Sequence, residues 1–142
     1  MGLSVIMGND EVAVHNMYEE TVKTEGVKYS DTKPKISMLF TQFPDALKAV
    51  TLASMFGHIK YEEFDKDFLN YKRVAKENAY LDAGLRHHML ESSEQEESKL
   101  HPKFHVAWNA LADLQLYIEQ QGIDIQDVAN INIPLWKEEF KK

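Results

Sequence analysis

The stretch PKFHVAWNALADLQLYIEQQG, Pro102 to Gly122, decides how this chain is read. Phe104, Trp108, Leu111, Leu114 and Ile118 recur at steps of three and four, the period of one helix face. Proline is favoured in the first helical turn and glycine just past the last, and both stand in those places here. The segment is therefore predicted to be a helix from Pro102 to about Gly122, with that apolar stripe turned inward. Upstream, Pro44-Asp45 opens a second such segment, in which Ala46, Ala49, Val50, Ala53, Phe56 and Gly57 share a face ending near Tyr61. Between the two, a helix is expected from about Asp67 to Glu91, broken near Lys76–Asn78, with Phe68, Tyr71, Ala75, Ala79, Leu81, Leu85 and Met89 inward. The acidic run Glu91 to Lys99 reads as a surface loop. Before all of these, Asn9-Asp10-Glu11 and Gly26 bracket a thinly apolar helix, and Val27–Lys35 is a polar loop. After them, residues 123–142 hold alternating apolar positions with Pro134 and Trp136, a tail expected to dock on the chain's own body or on a neighbouring subunit. No repeat and little strand pattern occur. The expected fold is all-α, an irregular bundle of four to six helices in a single domain, 1–142, with an N-terminal arm (1–32) and a C-terminal tail (123–142).

Composition narrows the function. The chain has 142 residues, 16 Lys plus Arg against 23 Asp plus Glu, a net charge of -7 and no Cys. An acidic balance argues against duplex nucleic acid or an anionic membrane as the partner, although a local basic pocket for a small phosphorylated ligand is compatible with it. Without cysteine there is no disulfide, thiolate metal site or thiol nucleophile. The amino terminus lacks the charged and apolar regions of a signal peptide, and no apolar run approaches the ~20 residues that span a bilayer. A cytoplasmic protein is the expectation.

Chemistry-bearing residues cluster in the second half. Arg86-His87-His88 follows Leu85, and Arg86 is i+4 from Asp82, the spacing of an ordinary surface salt bridge. His101 and His105 are also i, i+4, a spacing that can grip a metal, but the Glu of His-Glu-x-x-His is missing, and such pairs more often sit at a helix end on the surface. Glu96 and Glu97 bring carboxylates close in sequence. A mixed carboxylate and imidazole set suits Mg²⁺ or Mn²⁺ better than zinc, and Lys60 and Arg86 could balance phosphate charge. The bland alternative is that Glu94–Glu97 is a solvated acidic loop. Tyr61 follows Lys60 at a helix end, where its ring could reach a purine, though core packing is the commoner use. There is no Gly-x-x-x-x-Gly-Lys or Gly-x-Gly-x-x-Gly phosphate loop, no nucleophile elbow, and no His-Asp dipeptide among the six His.

The order of several fragments resembles the phage-encoded family of dATP/dGTP diphosphohydrolases (N-terminal domain). The fragments are Lys33-Pro34-Lys35, Pro44-Asp45-Ala46-Leu47, Phe56-Gly57-x-x-Lys60-Tyr61, Tyr80-Leu81-Asp82-Ala83-Gly84-Leu85-Arg86-His87, Glu97-Ser98 and His105-x-x-Trp108-Asn109-Ala110-Leu111. They span about residues 33–120. The resemblance implies an all-α protein that converts a purine deoxynucleoside triphosphate to the monophosphate and pyrophosphate, altering the nucleotide pool of an infected cell, and acting in the host cytoplasm if the chain is phage-encoded. Mg²⁺ or Mn²⁺ is the cofactor expected from the donor set above. The resemblance carries over candidate site positions, and their chemistry suggests Gly57, Lys60, Tyr61, Arg86 and Asn109 for substrate binding and His87, Glu97 and His105 for catalysis. Within that set Lys60 and Arg86 are expected on phosphates, Glu97 and His105 at the metal or water, and His87 and Asn109 as orienting groups. The sequence departs from the family pattern at Pro102, where the family has a second His; at Glu62, where it tends to have Gly; in the missing Asn-Trp that follows; and at Lys99, which replaces the Gly of Glu-Ser-Gly. The paired-acid Glu-Glu-x-x-Glu signature of MazG-like pyrophosphatases is also missing. Those departures motivate an alternative, a non-catalytic sponge holding a nucleotide or nucleotide-derived signal against host defence. A third reading is a helical interaction module whose tail, with Ile131, Ile133 and Trp136, docks on another chain. A homo-oligomer is expected under each.

Overall fold

The computed structural model describes residues 31–141, all-helical with no strand among them. The expected helix between Asn9 and Gly26 lies outside the described residues. Five helices follow in order: α1 (Ser37–Gln42), α2 (Pro44–Lys60), α3 (Ala79–His88), α4 (Pro102–Gln121) and α5 (Ile125–Glu139). Three single turns of 3₁₀ helix interrupt the connections, at Glu62–Phe64, Asn70–Arg73 and Ser93–Gln95. No helix among the described residues is long and apolar enough to cross a membrane.

Local chemistry explains the ends of these elements. Pro44 stands in the first turn of α2 with Asp45 beside it, where the helix dipole favours a negative charge. Pro102 opens α4, whose cap His101 accepts from the Lys103 N–H at 3.1 Å. Gly122 closes it with φ +63°, a left-handed conformation that costs glycine nothing. The Asp124 carboxylate caps α5 by accepting from the N–H groups of Gln126 and Asp127. The tail is therefore an added helix, tied to the start of the described chain by Thr32, which donates to Asn130 Oδ1 at 2.6 Å and accepts from the Gln126 amide at 3.1 Å.

Two expectations are corrected. Asp67–Asn78 is not α-helical. Phe68 and Asn78 have φ of 64° and 56°, which no helix interior tolerates, and Arg73 folds back on the Phe64 carbonyl and the Asp67 carboxylate. The inward faces also differ. Leu81, Leu85, Met89, Leu111 and Leu114 are exposed, whereas α4 buries Pro102, His105, Asn109 and Ala112. The reason lies in what α4 packs against: its main neighbour is α3, then α2. Gly84 of α3 permits that approach, since a Cβ placed there would stand 3.3 Å from Asn109 Cβ. The buried seam is thus partly polar, and polar groups kept from water need partners of their own.

Candidate functional site

Those partners come from one loop. After α3, a 3₁₀ turn is fixed by a capping box in which the Gln95 side chain accepts from the N–H groups of Glu91 and Ser92. The next three residues each reach a different helix. Glu96 Oε2 meets His87 Nδ1 of α3 at 2.6 Å, Glu97 Oε2 accepts from Lys60 Nζ of α2 at 2.6 Å, and Ser98 Oγ meets His105 Nε2 of α4 at 2.5 Å. The expected surface loop is in part interior, for Glu96 is only 5% exposed.

Hydrogen-bond logic fixes the tautomer of a neutral His87. A carboxylate only accepts, so His87 Nδ1 carries the proton toward Glu96 and Nε2 keeps its lone pair. Ser98 Oγ also accepts from the Leu100 N–H at 3.1 Å, so the hydroxyl ties the His105 imidazole to the backbone of the loop. The two imidazoles stack with centroids 4.7 Å apart, and Phe56 meets His105 edge-on at 5.8 Å. Burial pushes the His105 pKa below the ordinary imidazole range, the adjacent His87 pushes it further, and Glu96 opposes both. Burial thus favours the neutral form of the His105 ring, which lies stacked on His87. Lys60 is held in its charged form, its pKa raised chiefly by the hydrogen bond to Glu97. Its ammonium also lies 5.4 Å from the Tyr61 ring centre and 5.9 Å from that of Phe56.

Beside this cluster runs a cleft of about 360 Å³ lined by Gly57, Tyr61 and Arg86 among others, with Tyr71, Tyr80 and Trp108 forming a mutually edge-on aromatic wall. The Tyr80 hydroxyl donates to the Tyr71 carbonyl, and burial lifts its pKa to about 12. Arg86 forms no salt bridge with Asp82 or any other carboxylate among the described residues.

Of the sequence-derived positions, His87, His105, Glu97 and Lys60 therefore meet around one loop, and Gly57, Tyr61 and Arg86 line the adjoining cleft. Asn109 stands apart: 6% exposed, it donates to the His105 carbonyl at 2.8 Å and borders a different groove, between α3 and α4. His101 is a helix cap rather than a second site imidazole. Ser98 was quoted only within Glu-Ser, and Glu96 was named as a carboxylate beside Glu97 but not carried over as a site position; both belong to the cluster. Two adjacent acids in a loop have no periodicity to separate them, although the Ser of Glu-Ser was a usable signal. Lys99, which stands where the resembled family carries Gly, has φ 63°, so the backbone keeps the glycine conformation without the glycine.

A resident divalent cation fits this donor set poorly. No group of three or more His, Asp or Glu among the described residues is arranged to hold a metal ion, and the expected ligands are engaged elsewhere, Glu97 by Lys60 and His105 Nε2 by Ser98.

Comparison with known proteins agrees with the fragments. A family model described as dATP/dGTP diphosphohydrolase, N-terminal, matches residues 23–127, well over half the chain and inclusive of every fragment quoted above. No curated protein and no solved structure matches it.

Proposed function

The chain belongs to the dATP/dGTP diphosphohydrolase N-terminal family, and on that premise we propose that it hydrolyses a purine deoxynucleoside triphosphate between the α- and β-phosphates. The observation that carries this reading is the His87–Glu96 pair, whose chain neighbours are Arg86, which lines the cleft, and Glu97, which holds Lys60. In the proposed step, His87 Nε2 accepts a proton from water as its oxygen attacks the α-phosphorus. The bond from that phosphorus to the bridging oxygen breaks, and pyrophosphate leaves with the electron pair. Glu96 stabilises the imidazolium that forms, and neutral His105, held by Ser98, adds no opposing charge.

Arg86 and Lys60 neutralise phosphoryl oxygens, Lys60 exchanging Glu97 for the substrate. Gly57 leaves open space where a side chain would intrude on the cleft, since nothing lies within 4 Å of a Cβ built there. Asn109 acts at one remove by fixing the backbone that carries His105. A triphosphate reaches any such site as its Mg²⁺ or Mn²⁺ complex, so the cation enters as part of the substrate. Activity in the cytoplasm and a homo-oligomeric state are part of the same proposal, the latter supported by exposed Ile131, Leu135 and Trp136 on α5.

Incubating the purified chain with the four dNTPs and Mg²⁺, with and without EDTA, tests the reading by ion-exchange separation of products. A purine dNTP converted to monophosphate and pyrophosphate is the expected result. A ligand recovered intact after tight binding would replace the hydrolase with the sponge, and release of inorganic phosphate would move the bond cleaved.

A further inference from the structure

The cleft beside the imidazole cluster carries a second polar pair that the proposed chemistry does not use. His58 Nδ1 of α2 meets Asp65 Oδ2 at 2.9 Å, and the other carboxylate oxygen accepts from the Asn70 N–H at 2.9 Å. Both residues line the cleft, as does Phe68, whose ring is tilted 45° against the His58 imidazole at 4.9 Å between centroids. With both of its oxygens engaged, Asp65 fixes the tautomer of His58: Nδ1 donates to the carboxylate, and Nε2 presents a lone pair. No described residue hydrogen-bonds that nitrogen.

Phe68 is unusual twice over. Its φ of 64° is a conformation that phenylalanine adopts only when its surroundings impose it, and its side chain is 69% exposed. The turn around it is held by the Phe68 N–H on the Asp65 carbonyl and the Leu69 N–H on the Asp67 carboxylate. Within the described residues, the one aromatic contact set against the backbone strain and the exposed ring is the His58 imidazole. Phe68 thus places a second aromatic rim on the cleft besides Tyr61.

We propose that His58, positioned by Asp65 and flanked by Phe68, is the base-recognition subsite, where the purine stacks and donates an N–H to His58 Nε2. This rests on the nucleotide reading above. Charge assigns which part of the nucleotide lies there. A carboxylate repels phosphate, so the triphosphate belongs with Arg86 and Lys60 and the neutral base with Asp65 and His58. Size agrees, since about 360 Å³ exceeds a purine ring system, and stacking on aromatic faces suits a flat heterocycle. An acceptor at Nε2 takes the 6-amino group of adenine or the ring N–H and 2-amino group of guanine. An unsubstituted purine, with no such donor, leaves it unsatisfied.

The test is equilibrium binding to the full-length chain of the α,β-methylene analogues of dATP and dGTP, the matching analogue of purine deoxyriboside, and inorganic tripolyphosphate. His58→Ala and Phe68→Ala are expected to weaken the dATP or dGTP analogue roughly tenfold or more while tripolyphosphate stays within about twofold. Wild type should discriminate against the unsubstituted purine, and His58→Ala should lose that discrimination. Which of the two analogues shows the effect identifies the base. Phe68→Gly separates structure from recognition, because it relieves the positive φ yet removes the ring: thermal stability rises or holds while base binding weakens. Asp65→Asn should act as His58→Ala does, and by circular dichroism all of these variants should be folded. Unchanged nucleotide affinity in folded His58→Ala and Phe68→Gly would overturn the subsite, as would an equal loss for tripolyphosphate. Base-dependent binding without turnover would instead retain the subsite and remove the hydrolase reading.

Discussion

Replacing Glu96 by Gln separates a catalytic pair from a packing contact. The carboxylate is buried, meets His87 at 2.6 Å, and has no place on the cleft surface. Two energetic effects on stability oppose each other. Losing a charge-assisted hydrogen bond costs about 1.5–3 kcal/mol, while no longer burying a carboxylate returns an amount of the same order. The isosteric amide keeps the volume, so the net change in unfolding free energy should stay within about 2 kcal/mol. Catalysis has no such compensation. His87 must become an imidazolium as water loses its proton, and a neutral amide neither stabilises that charge nor enforces the Nδ1–H tautomer. The loss should approach the full worth of general-base catalysis, about 10²- to 10⁴-fold in kcat. KM should move little, because the Glu96 carboxylate is buried against His87 and pairs with neither Lys60 nor Arg86. The assay is continuous pyrophosphate release from dATP and dGTP, with urea unfolding of the same preparation. A kcat within about threefold of wild type, in a variant whose stability has changed, would reduce Glu96 to a structural role and refute the dyad.

Three further outcomes follow from the same geometry. Burial holds the His105 pKa down, so the native fold prefers the neutral ring; its contribution to stability is complete above pH ~6.5 and declines as pH falls toward the depressed native value. Urea unfolding at pH 7.5 and 5.5 should show a smaller acid loss in His105→Phe than in wild type, and equal losses would exclude this origin. Lys99→Gly relieves a φ of 63° and should raise stability by roughly 1 kcal/mol, less whatever the Lys99 ammonium gains from the Glu94 carbonyl; a lower denaturant midpoint would contradict it. Asp124→Ala removes the cap of α5 and should cost about 1 kcal/mol, read as faster amide exchange confined to Ile125–Glu139, whereas a uniform change along the chain would count against the cap.

The sequence was most legible where a residue has one backbone meaning. Pro44, Pro102 and Gly122 marked three helix ends, and each stands where it was expected. It was least legible where periodicity was taken for burial. Leu111 and Leu114 have helical spacing, but the face that meets α3 is the one holding His105, Asn109 and Ala112, small or polar residues that no hydrophobic count selects. Phe68 and Tyr71 looked like one helix face because three-residue spacing also fits two successive tight turns; the polar Lys76-Glu77-Asn78 run was the true boundary. The tail hid a helix because its apolar residues were read as alternating, when Asp124 followed by Ile125 and Ala129 is a cap and an i, i+4 pair. At the site, the resemblance placed His87, His105, Lys60 and Glu97 in one neighbourhood. It could not say that Glu97 would turn outward to Lys60 while Glu96 turned inward to His87, because that choice depends on the loop's path between helices.

The most direct test of the proposed reaction is turnover in water enriched in ¹⁸O, with the label located by mass spectrometry of the separated products. Attack by a His87-activated water on the α-phosphorus puts the label in the deoxynucleoside monophosphate and none in pyrophosphate. Label in pyrophosphate, or no turnover of either purine dNTP with Mg²⁺ or Mn²⁺ supplied, would contradict it.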